Sequence, residues 1–309
     1  MRILFIGSAE YSIQSLSSLI DSRHDIVGVI SQPDKPSGRK KILQSSPLKS
    51  FALNQGYEVF TPENISSGLS IRYIKKLKVD LIIVVAYGQF IPLRFINNSK
   101  YKAINVHPSL LPKYRGATPI QWSLINGDHE TGVSIIDVSE ELDAGDIYKQ
   151  CVVYITKNDN YKTLHDKLAT KGAELLIEVV NSIESKNFNK ESQNKQNCSY
   201  VKQLKKSDGI INWNDSAVNI CNKIRAFNPW PGSHCILPNN KKLIVWSAQL
   251  EKESGDPGTV LDDKLKIATP EGSVRLLEVQ LEGGWRMSSD SLLNGHSVLA
   301  GQKMIFNNK

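Results

Sequence analysis

The sequence is poor in cysteine, and its few thiols form no recognisable framework. Four cysteines, Cys151, Cys198, Cys221 and Cys235, occur among 309 residues, and none belongs to a CxxC pair or has zinc-ligand spacing to a histidine. Scattered thiols of this kind are typical of a reducing compartment. We therefore expect neither disulfides nor a metal site.

Long apolar runs are also missing. Near the N-terminus only the four residues from Ile3 to Ile6 are apolar in succession, which is too few for the core of a signal peptide. No stretch elsewhere reaches the length of a transmembrane helix. These absences predict a cytoplasmic protein without a membrane partner.

An excess of one charge sign is present but small. Lys and Arg outnumber Asp and Glu by 38 to 31, which gives a formal net charge of +7 and a pI near 9.0. The excess favours a polyanionic partner such as nucleic acid, but it is spread over both halves of the chain, so any anion site must be local. With 40% hydrophobic and 22% charged residues, the composition is that of a globular protein and excludes a disordered or fibrous one.

The first half of the chain alternates short apolar runs with amphipathic stretches. This pattern predicts a doubly wound, Rossmann-like α/β domain with a parallel sheet. The predicted strands span residues 3–6, 26–30, 79–86, 103–106 and 132–138, and the predicted helices lie near residues 13–20, 47–54 and 119–126.

A change in composition divides the chain. After a periodic helix over residues 161–183, the segment 184–197 is nearly free of apolar residues and rich in Asn, Ser and Lys, as linkers are. We predict domains at 1–183 and 208–309, joined by a linker at 184–207. The second domain has strand-like alternation at 241–248, 258–261, 265–268 and 274–280, which fits a small β domain such as an OB-like five-stranded barrel.

The densest cluster of polar and conformationally special residues follows the strand at 103–106. Asn105 and His107 are two residues apart, so on an extended strand end both side chains point to the same side. Ligands of open α/β sheets gather at the carboxyl ends of strands. An amide donor beside an imidazole suits an oxyanion and a proton, and the pair is a candidate catalytic group.

Asp143 follows the predicted strand at 132–138 and reaches the same crevice if the two strands are neighbours. A carboxylate there can orient the imidazole or accept a proton. An isolated Asn, His or Asp near a strand end is, however, more often a turn or capping residue. Spacing alone leaves both readings open.

Two further features have alternative readings. The long basic segment 31–41 can grip a phosphate backbone, but it also has the composition of a solvated surface loop. Trp213 and Trp230 can stack on bases, although beside Pro and apolar neighbours they more often pack between domains.

Three motifs together resemble the signature of the folate-dependent formyltransferases. They are Asn105-Val-His-Pro-Ser-Leu-Leu-Pro112, Tyr114-Arg-Gly116 and Leu142-Asp-Ala-Gly-Asp146. The resemblance implies that domain 1–183 is catalytic, that the formyl donor is 10-formyltetrahydrofolate, and that no metal is used. It also implies catalytic roles for Asn105, His107 and Asp143, and a folate site made by Ser109, Leu110, Leu111, Pro112, Tyr87, Gly88 and Gln89.

Within the family, the sequence is most similar to the branch that formylates methionyl-tRNA. The basic segment resembles an insertion that enters the tRNA acceptor end, which implies tRNA contacts for Arg39, Lys40 and Lys41. Motifs at 211–213 and 224–232 extend the resemblance into the second domain, which is then a tRNA-binding domain. The implied reaction formylates the free amino group of methionyl initiator tRNA for translation initiation, with no obligate protein partner.

Two other activities stay open. A sugar-nucleotide N-formyltransferase shares the Asn, His and Asp chemistry, and a formyltetrahydrofolate hydrolase would release the formyl group to water. The basic segment favours the tRNA substrate over both, and the Gly116-Ala-Thr-Pro-Ile-Gln121 sequence favours it over the sugar nucleotide.

Overall fold

The computed structural model describes residues 1–37, 41–296 and 298–305. The chain forms two compact units that are interleaved along the sequence. Unit 1 comprises Met1–Gly116, Thr131–Tyr154 and His165–Tyr200, and unit 2 comprises Ala117–Glu130, Ile155–Leu164 and Val201–Lys309. The domain division at 1–183, 184–207 and 208–309 stays a prediction.

The elements are numbered in chain order. The strands are β1 (Arg2–Gly7), β2 (Asp25–Ile30), β3 (Lys35–Ser37), β4 (Ile42–Gln44), β5 (Val59–Phe60), β6 (Leu81–Val85), β7 (Ala103–His107), β8 (Arg115–Gly116), β9 (Glu130–Asp137), β10 (Ile147–Tyr154), β11 (Tyr200–Val201), β12 (Ser233–Ile236), β13 (Lys242–Glu251), β14 (Lys266–Ala268), β15 (Ser273–Leu281) and β16 (Arg286–Ser288). The α-helices are α1 (Tyr11–Ile20), α2 (Pro47–Asn54), α3 (Gly68–Leu77), α4 (Leu93–Ile96), α5 (Pro119–Ile125), α6 (Tyr161–Glu184), α7 (Ala217–Ala226) and α8 (Ser289–Leu293).

Unit 1 contains a seven-stranded sheet of order β10-β9-β7-β6-β1-β2-β5. The pairs from β7 to β5 are parallel, and β9 runs antiparallel to β7. The central strands are buried along their whole apolar runs, as parallel strands covered on both faces are. The predicted strands in this half coincide with β1, β2, β6, β7 and β9, and the three predicted helices with α1, α2 and α5.

The strand order places a topological switch between β1 and β6. From β1 the chain runs outward to β2 and β5, and it then returns to the other side of β1 for β6 and β7. Ligands of such sheets bind in the crevice at this point.

Unit 2 is built on an antiparallel sheet of order β12-β13-β15-β14, and β16 pairs with the C-terminal part of β15. Its core includes Trp213 and the apolar face of α7. Three of the predicted strands lie in β13, β14 and β15. The prediction of a strand at 258–261 is wrong, because Gly258 has a φ of +80° and its neighbours Thr259 and Val260 form only isolated bridges. The predicted fold class, a parallel-rich α/β unit followed by a smaller antiparallel β unit, is confirmed.

Among residues 1–37, 41–296 and 298–305, no helix is both long enough and apolar enough to span a lipid bilayer.

Candidate active site

Three loops leave the sheet of unit 1 at the switch point. Gly7 at the end of β1 pairs with Val85 at the end of β6, and Val84 pairs with Asn105 of β7. The segments that follow these strands therefore begin at the same edge of the sheet. They include the predicted folate loop 87–89 and the predicted catalytic segment from Asn105 to Pro112.

The three predicted catalytic residues lie together at this edge. The Asn105 amide Nδ2 donates to Asp143 Oδ1 at 3.4 Å, and His107 Nδ1 lies 3.6 Å from Asp143 Oδ2. The backbone N–H of Gly116 donates to the same Oδ2 at 2.9 Å. The side chains of His107 and Asp143 are 5% and 13% exposed, so the cluster is shielded from bulk water while its centre stays polar.

The hydrogen bonds of His107 define which ring nitrogen carries a proton. Nε2 lies 2.9 Å from the carbonyl oxygen of Tyr114, and a carbonyl can only accept, so Nε2 is the donor. A second proton, on Nδ1, would face Asp143. Nδ1 is therefore the ring nitrogen that faces the carboxylate, at 3.6 Å from Asp143 Oδ2.

Asp143 reaches this position by a route that the sequence pattern did not predict. Strands β7 and β9 are neighbours, as the hypothesis required, but they are antiparallel, so the end of β9 lies beside the start of β7. The turn 138–146 carries the carboxylate back to Asn105. Asp143 itself has a φ of +50°, and a Cβ added at Gly145 would lie 1.9 Å from the carbonyl oxygen of Asp137. Only glycine fits at position 145 without a shift of the turn.

A buried cation that the sequence analysis did not assign lies beside this turn. The Arg115 side chain is 2% exposed, and its Nη1 forms an ion pair with Glu141 at 2.9 Å. Nη1 also donates to the Tyr200 hydroxyl at 3.0 Å, and that hydroxyl donates to Glu141 at 2.8 Å. These bonds lower the pKa of Glu141, with the Tyr200 hydroxyl contributing most.

The remaining donors of Arg115 bind Gln193. Nε and Nη2 donate to Gln193 Oε1 at 3.0 and 2.8 Å. Arg115 is separated from Gln193 by 78 residues in sequence. The motif Tyr114-Arg-Gly116 marks Arg115 as unusual, but nothing in its spacing indicates this partner.

Hydrogen bonds from Ser134 of β9 and Gln150 of β10 hold the segment 109–112. The Ser134 hydroxyl donates to the carbonyl of Ser109 at 2.6 Å and accepts from the backbone N–H of Leu111 at 3.1 Å. Gln150 Nε2 donates to the Leu111 carbonyl at 2.9 Å. Ser109 and Leu111 are buried, whereas Leu110 and Pro112 are half-buried. Their assignment to a folate site stays a prediction.

The second predicted folate segment has a mixed environment. Tyr87 is a core residue, and burial raises the pKa of its hydroxyl to about 12. Gly88 is exposed with a φ of +83°. Gln89 turns its amide toward Glu63 and Ile65. The Tyr87 carbonyl accepts from Gln32 Nε2 at 3.1 Å, which ties this loop to the base of the basic segment.

Within the basic segment, residues 35–37 form strand β3. Strand β3 pairs antiparallel with β4, with Lys35 opposite Gln44. Of the predicted tRNA contacts, Arg39 and Lys40 lie outside the described residues. Lys41 is exposed and has a φ of +49°.

The two tryptophans of unit 2 differ in exposure. Trp213 is buried in the core of unit 2, and Trp230 is 43% exposed. In the part of the chain that the structure describes, no group of three or more His, Cys, Asp or Glu side chains is placed to hold a metal ion.

Comparisons with known proteins cover nearly the whole chain. A family model described as formyl transferase matches residues 1–180, and a second, described as its C-terminal domain, matches residues 203–297. The methionyl-tRNA formyltransferase of Agathobacter rectalis is 39% identical over 306 residues, with 97% of this chain and 98% of the relative covered. That of a Sulfurihydrogenibium species is 40% identical over 309 residues, covering 98% and 99%.

A solved structure shares the fold. WlaRD, a sugar 3N-formyl transferase crystallised with dTDP and 5-N-formyl-THF, superimposes with a TM-score of 0.64 at 21% identity. The match covers 89% of this chain and 97% of that one.

Proposed function

Because the chain belongs to the formyl transferase family, we propose that it transfers the formyl group of 10-formyltetrahydrofolate to the free amino group of methionyl initiator tRNA. The product is N-formylmethionyl-tRNA for translation initiation. The observation that carries the chemistry is the cluster of Asn105, His107 and Asp143 at the switch point. The tRNA substrate is supported by full-length relatives at 39–40% identity that are named for it.

The donor co-substrate supplies a formyl carbon bonded to a folate nitrogen. Attack by the neutral amine forms a C–N bond and a tetrahedral oxyanion, and the folate nitrogen then leaves. The proton that the amine loses balances the one that the leaving nitrogen gains. No covalent bond to the protein is needed.

The chain's part in this reaction is to supply donors in a shielded place. Asn105 Nδ2 and protonated His107 donate to the oxyanion. On the ring the donor is Nδ1, because Nε2 is already bonded to the Tyr114 carbonyl. The 3.6 Å separation of Nδ1 from Asp143 Oδ2 is longer than a hydrogen bond, so a proton on Nδ1 is available to the oxyanion, and the carboxylate orients the ring.

Binding of the two substrates is assigned to different parts of the chain. We assign the folate to Ser109, Leu110, Leu111, Pro112, Tyr87, Gly88 and Gln89. We assign the tRNA to Arg39, Lys40 and Lys41 of the basic segment together with domain 208–309. The hydrogen bond from Gln32 to the Tyr87 carbonyl supports a folate loop and a basic segment that act in one site. The cytoplasm stays the predicted compartment, because ribosomes use the product there.

The test offers the protein 10-formyltetrahydrofolate with methionyl initiator tRNA and, in parallel, with an amino-sugar nucleotide. Formylation of the tRNA alone supports the proposal, and transfer to the sugar nucleotide would overturn the assigned substrate. Formate release without either acceptor would indicate the hydrolase instead.

The site assignment is tested by Asn105→Ala, which removes one oxyanion donor and should lower kcat by roughly 100- to 1000-fold. Asn54→Ala, an exposed position at the end of α2, is the matched control and should keep full activity. Near-full activity of Asn105→Ala would contradict the mechanism.

A further inference from the structure

Part of the predicted linker returns to unit 1 and surrounds the turn that carries Asp143. Glu191 forms a two-way backbone bridge with Ile147, with N···O distances of 2.8 and 2.9 Å. Lys190 binds Asp137 at 2.6 Å, and the Ser192 hydroxyl donates to Asp146 at 2.8 Å. Successive linker residues thus contact both ends of this turn.

Gln193 follows these residues, and its side chain forms hydrogen bonds with both the turn and Arg115. It is half-buried in a run that is otherwise exposed from Glu191 to Asn197. Its Nε2 donates to the carbonyl oxygens of Asp143 and Gly145, both at 2.8 Å. Its Oε1 accepts two bonds from the buried guanidinium of Arg115.

We propose that Gln193 is a positioning residue for the reaction, which sets the backbone of Asp143 and thereby aligns its carboxylate with Asn105 and His107. This inference rests on the proposed function only through the roles of those three residues. One side-chain amide satisfies two carbonyls on one side and a buried cation on the other. The adjacent Gly116 N–H fixes the Asp143 carboxylate from the opposite end of the residue.

The contact set requires an amide rather than a carboxylate. Gln193→Glu keeps an acceptor for Arg115 but brings a second acceptor oxygen against the carbonyls of Asp143 and Gly145, where no proton is left to share. The turn is then pushed away from the linker, and a displacement near 1 Å at reacting groups can cost roughly 100-fold in rate.

The experiment measures kcat, both KM values and the unfolding temperature for Gln193→Glu and Gln193→Ala, with Gln196→Glu as the control. Gln196 lies three residues along the same linker and is exposed. We expect kcat to fall by roughly 10- to 100-fold for both Gln193 variants, with little change in either KM, because only transition-state alignment is lost. The control should match the unmutated protein.

A double-mutant cycle separates positioning from a general loss of stability. If Gln193 acts through Asp143, Gln193→Glu should add little to the loss already caused by Asp143→Asn. Full kcat in both Gln193 variants, or losses that multiply in the double mutant, would overturn the proposal. If Gln193→Glu does not fold, the cycle is run with Gln193→Ala, which introduces no charge.

The readout is tetrahydrofolate formation, which is common to formyl transfer to tRNA, to an amino sugar or to water. Failure of the proposed tRNA substrate would therefore leave the Gln193 test intact with whichever acceptor the protein uses. Failure of the Gln193 proposal alone would appear as unchanged kcat in a protein that still formylates methionyl initiator tRNA.

Discussion

Replacing Gly145 by alanine tests whether the turn 138–146 aligns the carboxylate of Asp143, which we propose to be catalytic. The added methyl group would lie 1.9 Å from the carbonyl oxygen of Asp137 and 2.7 Å from its carbonyl carbon. Real Cβ atoms essentially never come closer than 3.0 Å to such atoms, so the turn must move by about 1.1 Å. The obstacle is backbone within the sheet, and it cannot rotate away.

The displacement falls two residues from Asp143, whose carboxylate is 3.4 Å from the Asn105 amide. A shift near 1 Å at a reacting group corresponds to a loss of roughly 100-fold in rate, or about 2.7 kcal/mol of activation free energy. Overpacking also costs stability, typically about 1 to 3 kcal/mol. We therefore expect a folded protein with a lowered unfolding temperature and a kcat reduced by about two orders of magnitude.

The assay follows single-turnover formylation of methionyl initiator tRNA, normalised to the folded fraction from thermal unfolding. Gly68→Ala is the matched control, because Gly68 begins α3 and an added Cβ there meets nothing within 4 Å. That variant should keep its rate and gain up to about 1 kcal/mol of stability. A Gly145→Ala protein with unchanged kcat would refute the reasoning that this turn positions Asp143.

Two other predictions concern charge. Arg39→Ala should raise the KM for tRNA while leaving the KM for the folate donor unchanged, and the tRNA affinity of the unmutated protein should fall steeply with salt. Equal damage to the use of both substrates would count against a tRNA-specific role of the basic segment. Burial lowers the pKa of His234 below its ordinary 6.5, and nearby Lys242 lowers it further. Below pH 6.5 the unfolded chain therefore binds more protons at His234 than the folded chain does. The contribution of His234 to stability should be fully present above that pH and should decline as the pH falls. The unfolding temperature of His234→Gln should fall less with pH than that of the unmutated protein, and equal slopes of unfolding temperature against pH would contradict the assignment.

Much of the site follows from local pattern. Asn105 and His107 lie on the same side of β7 because side chains along a strand alternate with a period of two. The apolar runs of β1 and β6 predict buried parallel strands. These features depend on neighbours in sequence, and they were predicted correctly.

The rest depends on contacts between distant residues, which local pattern does not encode. The antiparallel direction of β9 is decided by how the chain returns to the sheet, and the short apolar run itself is the same for either direction. The composition of residues 184–197 predicted a linker. Lys190 and Gln193 nevertheless contact the turn 138–146 and its ends, and they do so through polar side chains of the kind that linkers also contain. Polar complementarity is visible only once the fold is known.

The return of the linker determines where the catalytic part of this chain can be separated from the remainder. A fragment that ends with α6 would lack Gln193 and Tyr200, and the Arg115 guanidinium would lose three of the hydrogen bonds that satisfy it in the interior. The ion pair with Glu141 would remain, but the other buried donors of the guanidinium would be unsatisfied, and each such donor is destabilising. A self-standing fragment that keeps the predicted catalytic residues must therefore extend at least through Tyr200, well beyond the end of α6.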